Sequence, residues 1–495
     1  MNERVYTPEI KPEPDDKRKK ASIENGKKGG RPSSPPHAET ADRYANDKLK
    51  KDGKFIFHNY RGEWLKFDDS HGWKHIPDAE MEANLVTYLR GDHDLRSFAT
   101  SSYARSVLLN LRAHDLCGLP SSVEMPTFLS TGESARNWIA FKGKIVNICK
   151  YAQACADGVD PIDYIRPITP DFFSLDFVPY EWRPDAPTPM FNAYLNRVQP
   201  TADMQAIIRR MLGLLMTDIT RYEVFFQLYG YGSNGKTVIL DIISGLTGAH
   251  NVSTVELGSI AERFQTWPLA MSKVNICGEL PTDVGRAAYH TIEGALKNCV
   301  SGGLIEFEKK GRDKYTATCK SRFVIASNSL PTFVDKSEGI WRRLRVVPFF
   351  EEIPDEEKDV NLAAKICKSE LPGIAGWALR GLAEVFRTGY FEECASGLEM
   401  KKRHRLDCDH EKQFLTEGYC VGSPSDRIKG ADVYAAYSEW MLSNGYRPCG
   451  ASKFYARVEH VFPGLVLKMT RIMGIPSKGF EGLKSLATEV VDDVL

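Results

Sequence analysis

The alternation of apolar and polar positions divides this chain into elements before any one residue stands out. Residues 224–229 are apolar almost throughout and read as a buried strand, and residues 238–243 keep their apolar side chains on one helical face. Upstream, residues 54–60 and 63–67 alternate as half-buried strands do, with Arg61 and Gly62 between them as a hairpin signal. Helical spacing predicts helices around residues 81–89, 103–113 and 138–154. A proline-rich connector at 161–189 leads to a further helix at about 202–217. Short β-rich runs follow at 273–279 and 321–328, and alternation across 305–317 reads as a hairpin. Helical material continues to about residue 387, a charged stretch covers 401–405, and a small final domain spans about 411–495. Residues 1 to about 38 hold almost no large apolar side chains and read as a disordered tail.

Composition narrows the classes. A chain of 495 residues is too long for one core and suggests roughly three domains. Lysine plus arginine and aspartate plus glutamate both number 65, so any nucleic-acid surface must be local or built by assembling copies. The tail lysines and arginine at 17–20, with Lys27 and Lys28, could touch DNA phosphate or simply solubilise the segment. The 11 cysteines contain no C-x-x-C pair, which argues against a disulfide framework or a zinc ribbon. No apolar run is long enough to span a bilayer and no signal peptide is evident, so the expectation is a cytoplasmic protein with no membrane partner.

The chemistry gathers around residues 230–237, Gly-Tyr-Gly-Ser-Asn-Gly-Lys-Thr, which fit a phosphate-binding loop placed between a strand and a helix. Gly230, Gly232, Ser233, Asn234 and Gly235 let the backbone curl so that successive N–H groups face a polyphosphate. The helix N-terminus adds the positive end of its dipole. Lys236 is placed to neutralise the β- and γ-phosphates of ATP, and the Thr237 hydroxyl to ligate Mg²⁺. Glu279, at the end of its strand, suits polarising the attacking water or holding Mg²⁺ through a water. Many motors carry two acids there; this chain has Gly278 and then Glu279. Asn328 ends another strand and can reach a γ-phosphate without bringing an unpaired charge. Arg342 and Arg343 precede a further strand and suit an arginine presented across a subunit boundary. Lys309, Lys310, Arg312 and Lys314 form a basic hairpin tip suited to single-strand phosphate contacts.

Together, Gly-Ser-Asn-Gly-Lys-Thr, the Gly-Glu-Leu-Pro segment ending at Pro281, Ala-Ser-Asn-Ser-Leu-Pro ending at Pro331, and the Gly-Ile-Trp-Arg-Arg-Leu-Arg-Val-Val-Pro-Phe run ending at Phe349 resemble the superfamily 3 helicases. These are a branch of the AAA+ ATPases, and within it the chain is similar to the phage/plasmid-type primase–helicases, related to the poxvirus primase–helicase. Residues 59–73 resemble the domain that precedes the motor in that family, and residues 431–440 with 452–454 and 479–482 resemble its winged-helix module. The resemblance implies a multidomain α/β chain. Its parts would be a tail at 1–38, an N-terminal α+β/helical domain with connector at 40–195, an AAA+ P-loop core at 196–352, a helical extension at 353–410 and a winged helix at 411–495.

It also implies a homo-oligomeric ring, usually a hexamer, with ATP between subunits, translocating on single-stranded DNA, typically 3′→5′, to open forked DNA. Family members often carry an N-terminal primase whose paired aspartates hold two metals. Only about 40 tail-like residues precede the first domain here, and Asp407 and Asp409 lack a flanking strand. The expectation is therefore a helicase without its own primase, working with a separate one. Two other functions stand beside a replicative helicase of a phage, plasmid or integrated mobile element. One is an origin-binding initiator that uses ATP for assembly, with Lys453 and Arg457 facing a groove and Tyr434, Tyr437 and Trp440 packing a helix core. The other is a P-loop kinase or metabolic ATPase, which would have no need of the basic hairpin or the arginine pair.

Overall fold

The computed structural model describes residues 35–51, 53–114, 117–120, 122–262, 265–278, 286–308, 314–331, 333 and 338–486. Two compact units divide the chain: Met1–Asp68 with Trp73–Met125, and Asp69–Gly72 with Pro126–Leu495.

In the first unit, helices His37–Lys48, Asp78–Gly91 and Ser101–Arg112 cover a sheet built on the hairpin Phe57–Tyr60/Glu63–Asp68. Arg61 and Gly62 have φ of 52° and 83°, the left-handed pair that matches the twist of a two-residue hairpin. Trp64, Met81, Leu85, Leu89 and Leu111 are buried between the layers. Among the described residues the first helix begins at His37, one position before the sequence boundary at 38. The basic tail residues at 17–28 lie outside the described residues. His58 is buried against Trp73, and burial pulls its imidazole down to about 4 despite a contact from Nδ1 to the Cys117 carbonyl.

In the second unit the helix that the spacing predicts over 138–154 is formed only in part. Residues 138–147 form an antiparallel hairpin, Trp138–Phe141 with Lys144–Asn147, and only Ile148–Asp157 is helical. All four residues of the first strand are buried, so its apolar run lacks the alternation that separates a strand from a buried helix. Gly143, at φ 74°, makes the turn, and Asn147 caps the helix by accepting from the Lys150 N–H.

The central sheet has five parallel strands, β1 (Phe225–Tyr229), β2 (Val252–Ser253), β3 (Val274–Cys277), β4 (Arg322–Ser327) and β5 (Leu344–Pro348), in spatial order β2–β3–β4–β1–β5. Alternate side chains leave opposite faces. Phe226, Leu228, Val324 and Val347 enter one core with Ile239, Ile242 and Leu246 of α1 (Lys236–Thr247) and with helices Ala202–Leu215 and Leu371–Thr388. Phe225, Phe323, Ile325 and Val346 enter a second core with Ile292 and Leu296 of helix Arg286–Val300. A parallel sheet needs this double cover, and its strands therefore read as continuous apolar runs. Helices Ala202–Leu215 and Leu371–Thr388 cross at close range: a Cβ on Gly213 would overlap the Ala378 carbonyl oxygen, and one on Gly381 the Arg209 backbone.

The C-terminal part packs helices His410–Gly418, Gly430–Ser443 and Ala451–Val461 on strands Arg427–Lys429, Lys468–Ile472 and Ile475–Glu481. Tyr437 stacks on Phe454 with ring centroids 4.2 Å apart, and Tyr434 and Trp440 pack on the same core, as the helical spacing implied. Arg457 does not face outward: its guanidinium is ion-paired with Asp409, while Lys453 is exposed. Asp409 also caps helix His410–Gly418 by accepting from the Lys412 N–H. Among the described residues, no cluster of three histidine, cysteine or acidic side chains could hold a metal, and no helix is long and apolar enough to cross a membrane.

Two outcomes follow from this packing. Gly213→Val overfills the helix crossing and should cost about 1–3 kcal/mol, read as a lowered urea midpoint. His58 binds its proton more weakly in the folded unit than in the unfolded chain. The stability of that unit should therefore be complete above pH 6.5 and decline as the pH falls toward 4. The measurement is urea unfolding followed by tryptophan fluorescence across that window, and removing the ring by His58→Gln should flatten the dependence.

Candidate nucleotide site

Parallel pairing sets the strands' C-terminal ends on one edge. Tyr229, the last residue of β1, pairs with Ser327 of β4 and with Pro348 of β5. The chain leaves β1 at Gly230 and enters α1 at Lys236, so the 230–237 loop caps this edge with a helix N-terminus behind it. Gly232, Ser233 and Gly235 adopt φ of 105°, 47° and 84°, the left-handed conformations a backbone cradle for anions requires. Contacts to residues outside the loop brace it. Asn234 is buried and donates from Nδ2 to the Phe349 carbonyl over 2.9 Å, and the Tyr194 hydroxyl donates to the Gly235 carbonyl over 2.9 Å. Gly230 admits no side chain, because a Cβ there would overlap Asn234 and the Phe349 carbonyl.

The Lys236 ammonium lies on three neutral oxygens: the Gly230 carbonyl, Asn234 Oδ1 at 3.2 Å and Asn328 Oδ1 at 3.2 Å. Partial burial holds it below the ordinary lysine value. Neutral oxygens leave its positive charge uncompensated, which is the state from which a phosphate would draw it. The fold thus brings together the loop, Lys236 and Asn328, separated by 92 positions. Thr237 is exposed on the first turn of α1, and its hydroxyl has no hydrogen-bond partner among the described residues. Glu279 lies outside the described residues; the strand leading to it, β3, ends at Cys277. A threonine hydroxyl is an oxygen donor of the kind Mg²⁺ takes, usually together with substrate phosphates.

Arg342 and Arg343 stand elsewhere. They precede β5, and the Phe225 N–H donates to the Arg343 carbonyl, so both mark the N-terminal edge of the sheet. Five residues of strand separate that edge from the loop, roughly 16 Å at about 3.3 Å per residue. The two differ from each other. Arg343 has a side chain 10% exposed, paired with Glu223 at 2.7 Å and donating to Ser301 Oγ and the Gly339 carbonyl. Arg342 has a side chain 61% exposed, with one ion pair to Glu223 at 3.2 Å.

The hairpin pairs Leu304–Phe307 with Tyr315–Thr318 in antiparallel register. Lys309, Lys310 and Arg312 lie outside the described residues. Lys314 is exposed, with Nζ 3.4 Å from Glu306 Oε2. One contact had no signal in the sequence: Lys358, in the segment after β5, donates to Ser233 Oγ over 2.9 Å, and the Ile353 N–H donates to the Ser233 carbonyl over 2.8 Å. A partner 125 positions away is invisible to local patterns.

A family of unknown function (DUF5906) matches residues 228–343, the stretch from β1 to the arginine pair. The chain is 22% identical over 298 residues to "Putative helicase L207/L206" of Acanthamoeba polyphaga mimivirus, covering 55% of this chain and 30% of that protein. It is 20% identical over 285 residues to "Putative helicase 121R" of Invertebrate iridescent virus 3, covering 51% and 30%. The chain thus spans less than a third of the length of these relatives. Among solved structures it is similar to the apo NrS-1 C-terminal region (305–718), with a TM-score of 0.41, 14% identity and 61% and 76% of the two chains covered. The A form of that region gives a TM-score of 0.39 at 12% identity, with 61% and 77% covered.

The arginines should separate in a stability measurement. Arg343→Ala opens a buried hydrogen-bond set and removes the shorter of the two ion pairs to Glu223, at a cost of about 1–3 kcal/mol. Arg342→Ala should stay within about 0.5 kcal/mol of the parent in the same urea titration, as an exposed pair does.

Proposed function

We propose that this chain is the ATP-hydrolysing motor of a replicative DNA helicase of the superfamily 3 AAA+ type, from a phage, plasmid or integrated mobile element. In this reading it works as a ring, most simply a hexamer, drawing single-stranded DNA through its centre with 3′→5′ polarity. The C-terminal part acts as a winged helix. The observation that carries the reading is the division of the candidate groups between opposite edges of one sheet. Lys236 and Asn328 meet at the loop edge, whereas exposed Arg342 lies at the other edge, too far to serve its own loop. A site split in this way is complete only when a second subunit presents its arginine. Similarity to two viral proteins named as helicases supports the same class.

The chemistry follows. Lys236 exchanges its neutral oxygen partners for the β- and γ-phosphates, and the loop N–H groups cradle the chain of phosphates. Asn328 holds the γ-phosphate side, and Glu279 orients water and accepts its proton as the oxygen attacks phosphorus and ADP leaves. Thr237, and Glu279 through a water, would hold Mg²⁺, which would supply charge neutralisation at the phosphates. Arg342 of a neighbouring subunit stabilises the charge that develops, while Arg343 keeps the corner that presents it in shape. Lys309, Lys310, Arg312 and Lys314 contact the strand's phosphates. An origin-binding initiator remains a second reading, favoured by exposed Lys453 on helix Ala451–Val461; DNA protection lost on removing residues after 411 would support it.

The test uses a forked duplex, ATP and Mg²⁺. Lys236→Ala should abolish both DNA-stimulated hydrolysis and strand separation. Arg342→Ala should keep ATP binding while hydrolysis drops by about 10³-fold or more. In mixtures of Lys236→Ala and parent subunits, activity should fall faster than the mutant fraction. Unwinding that survives Lys236→Ala, or a strictly proportional mixing curve, would sink the ring-motor reading.

A further inference from the structure

The motor reading leaves one position chemically short: where paired-acid motors have a first carboxylate, this chain has Gly278. The fold places another carboxylate there. Glu256 follows β2, and a Cβ built on Gly278 would lie 3.8 Å from Glu256 Oε2. That separation is ordinary van der Waals contact, so the Glu256 carboxylate stands beside the space an aspartate at 278 would enter.

Its position is built. Asn275, fully buried in β3, accepts the Val255 N–H on Oδ1 and donates from Nδ2 to the Val255 carbonyl, each over 2.8 Å. Ser253 Oγ donates to the same Oδ1 over 2.8 Å. This carboxamide extends the sheet by one rung past the end of β2 and fixes the residue next to Glu256. The Glu256 carbonyl then accepts the Ser259 N–H over 3.0 Å, closing the turn that follows. The carboxylate itself has no hydrogen bond or ion pair among the described residues, and it lines an open cleft of about 550 Å³ with Thr254, Ser259 and Trp267. Its charge also reaches the end of β3: burial raises the Cys277 thiol, and Glu256 raises it further.

We infer that Glu256 supplies, from the neighbouring strand, the carboxylate that Gly278 lacks, and holds a water of the divalent cation that accompanies the nucleotide triphosphate. A hydrated cation of this kind is bound by one or two carboxylates and the phosphates, so the two acids need not be adjacent in sequence. The inference rests on the ATPase reading of the same edge. Gly278 has an ordinary backbone conformation, and among the described residues its Cβ would meet nothing closer than Glu256, so Asp can be placed there.

The test is binding of a fluorescent non-hydrolysable ATP analogue to the full chain as Mg²⁺ is titrated, repeated with Mn²⁺ followed by electron paramagnetic resonance. Glu256→Gln should raise the metal concentration for half-maximal binding on the order of tenfold, leaving binding in EDTA unchanged. Adding Gly278→Asp to that variant should bring the midpoint back toward the parent, and Glu256→Asp should fall between. Matching thermal melts show that the variants are folded. A Glu256→Gln curve that overlays the parent, or a shift that Gly278→Asp does not reverse, overturns the inference while leaving the ATPase reading intact, provided the parent binds and Lys236→Ala does not. A parent that binds no analogue at any metal concentration overturns both.

Discussion

Everything placed at the candidate site depends on the parallel register of β1 between β4 and β5. Because the three strands run the same way and Tyr229 pairs with both Ser327 and Pro348, their C-terminal ends open on one edge. The loop after β1, the asparagine after β4 and the turn after β5 therefore converge there without side chains having to span a gap. This is the physical content of the rule that ligands of open α/β sheets bind outside the carboxyl ends of the strands. A shift of one register position would exchange Phe225 and Phe226 between the two cores they fill, so both cores hold the site's alignment.

The same geometry separates groups that a linear reading had joined. Arg342 and Arg343 are neighbours in sequence, but β5 carries the chain away from them before it reaches the loop, and burial divides their roles. One guanidinium is enclosed by Glu223, Ser301 and the Gly339 carbonyl; the other faces solvent. An arginine with its donors already satisfied is poorly suited to meet a phosphate, while an exposed one with a single weak partner is available for one.

The loop is also less self-sufficient than its glycines suggest. Its left-handed residues set the curl, but Asn234, Tyr194 and the 353–358 segment hold the curl in place from three directions. Asn275 does comparable work on the far side of the edge, where a buried carboxamide substitutes for a backbone rung. At Asn234, Tyr194 and Asn275 a polar side chain completes a hydrogen-bond pattern that backbone groups alone leave open, which is why these three are buried although polar.

Local patterns in the sequence were sufficient for the strand–loop–helix of residues 225–247, the hairpins at 57–68 and 304–318, and the aromatic core of the C-terminal part. In each of these the signal lies within about a dozen residues, as a period, a turn pair or a glycine at a forced φ. The order of the residues assigned to the loop edge was legible for the same reason. Tertiary structure decided what period cannot carry. It made residues 138–147 a hairpin, because a strand buried on both sides loses its alternation. It sent Arg457 inward to Asp409. It brought Lys358 to Ser233 and Glu256 to Gly278, pairs joined by no local pattern. These outcomes turn on which strand lies beside which and which side of the sheet is covered, and both are set by burying apolar surface from distant parts of the chain at once.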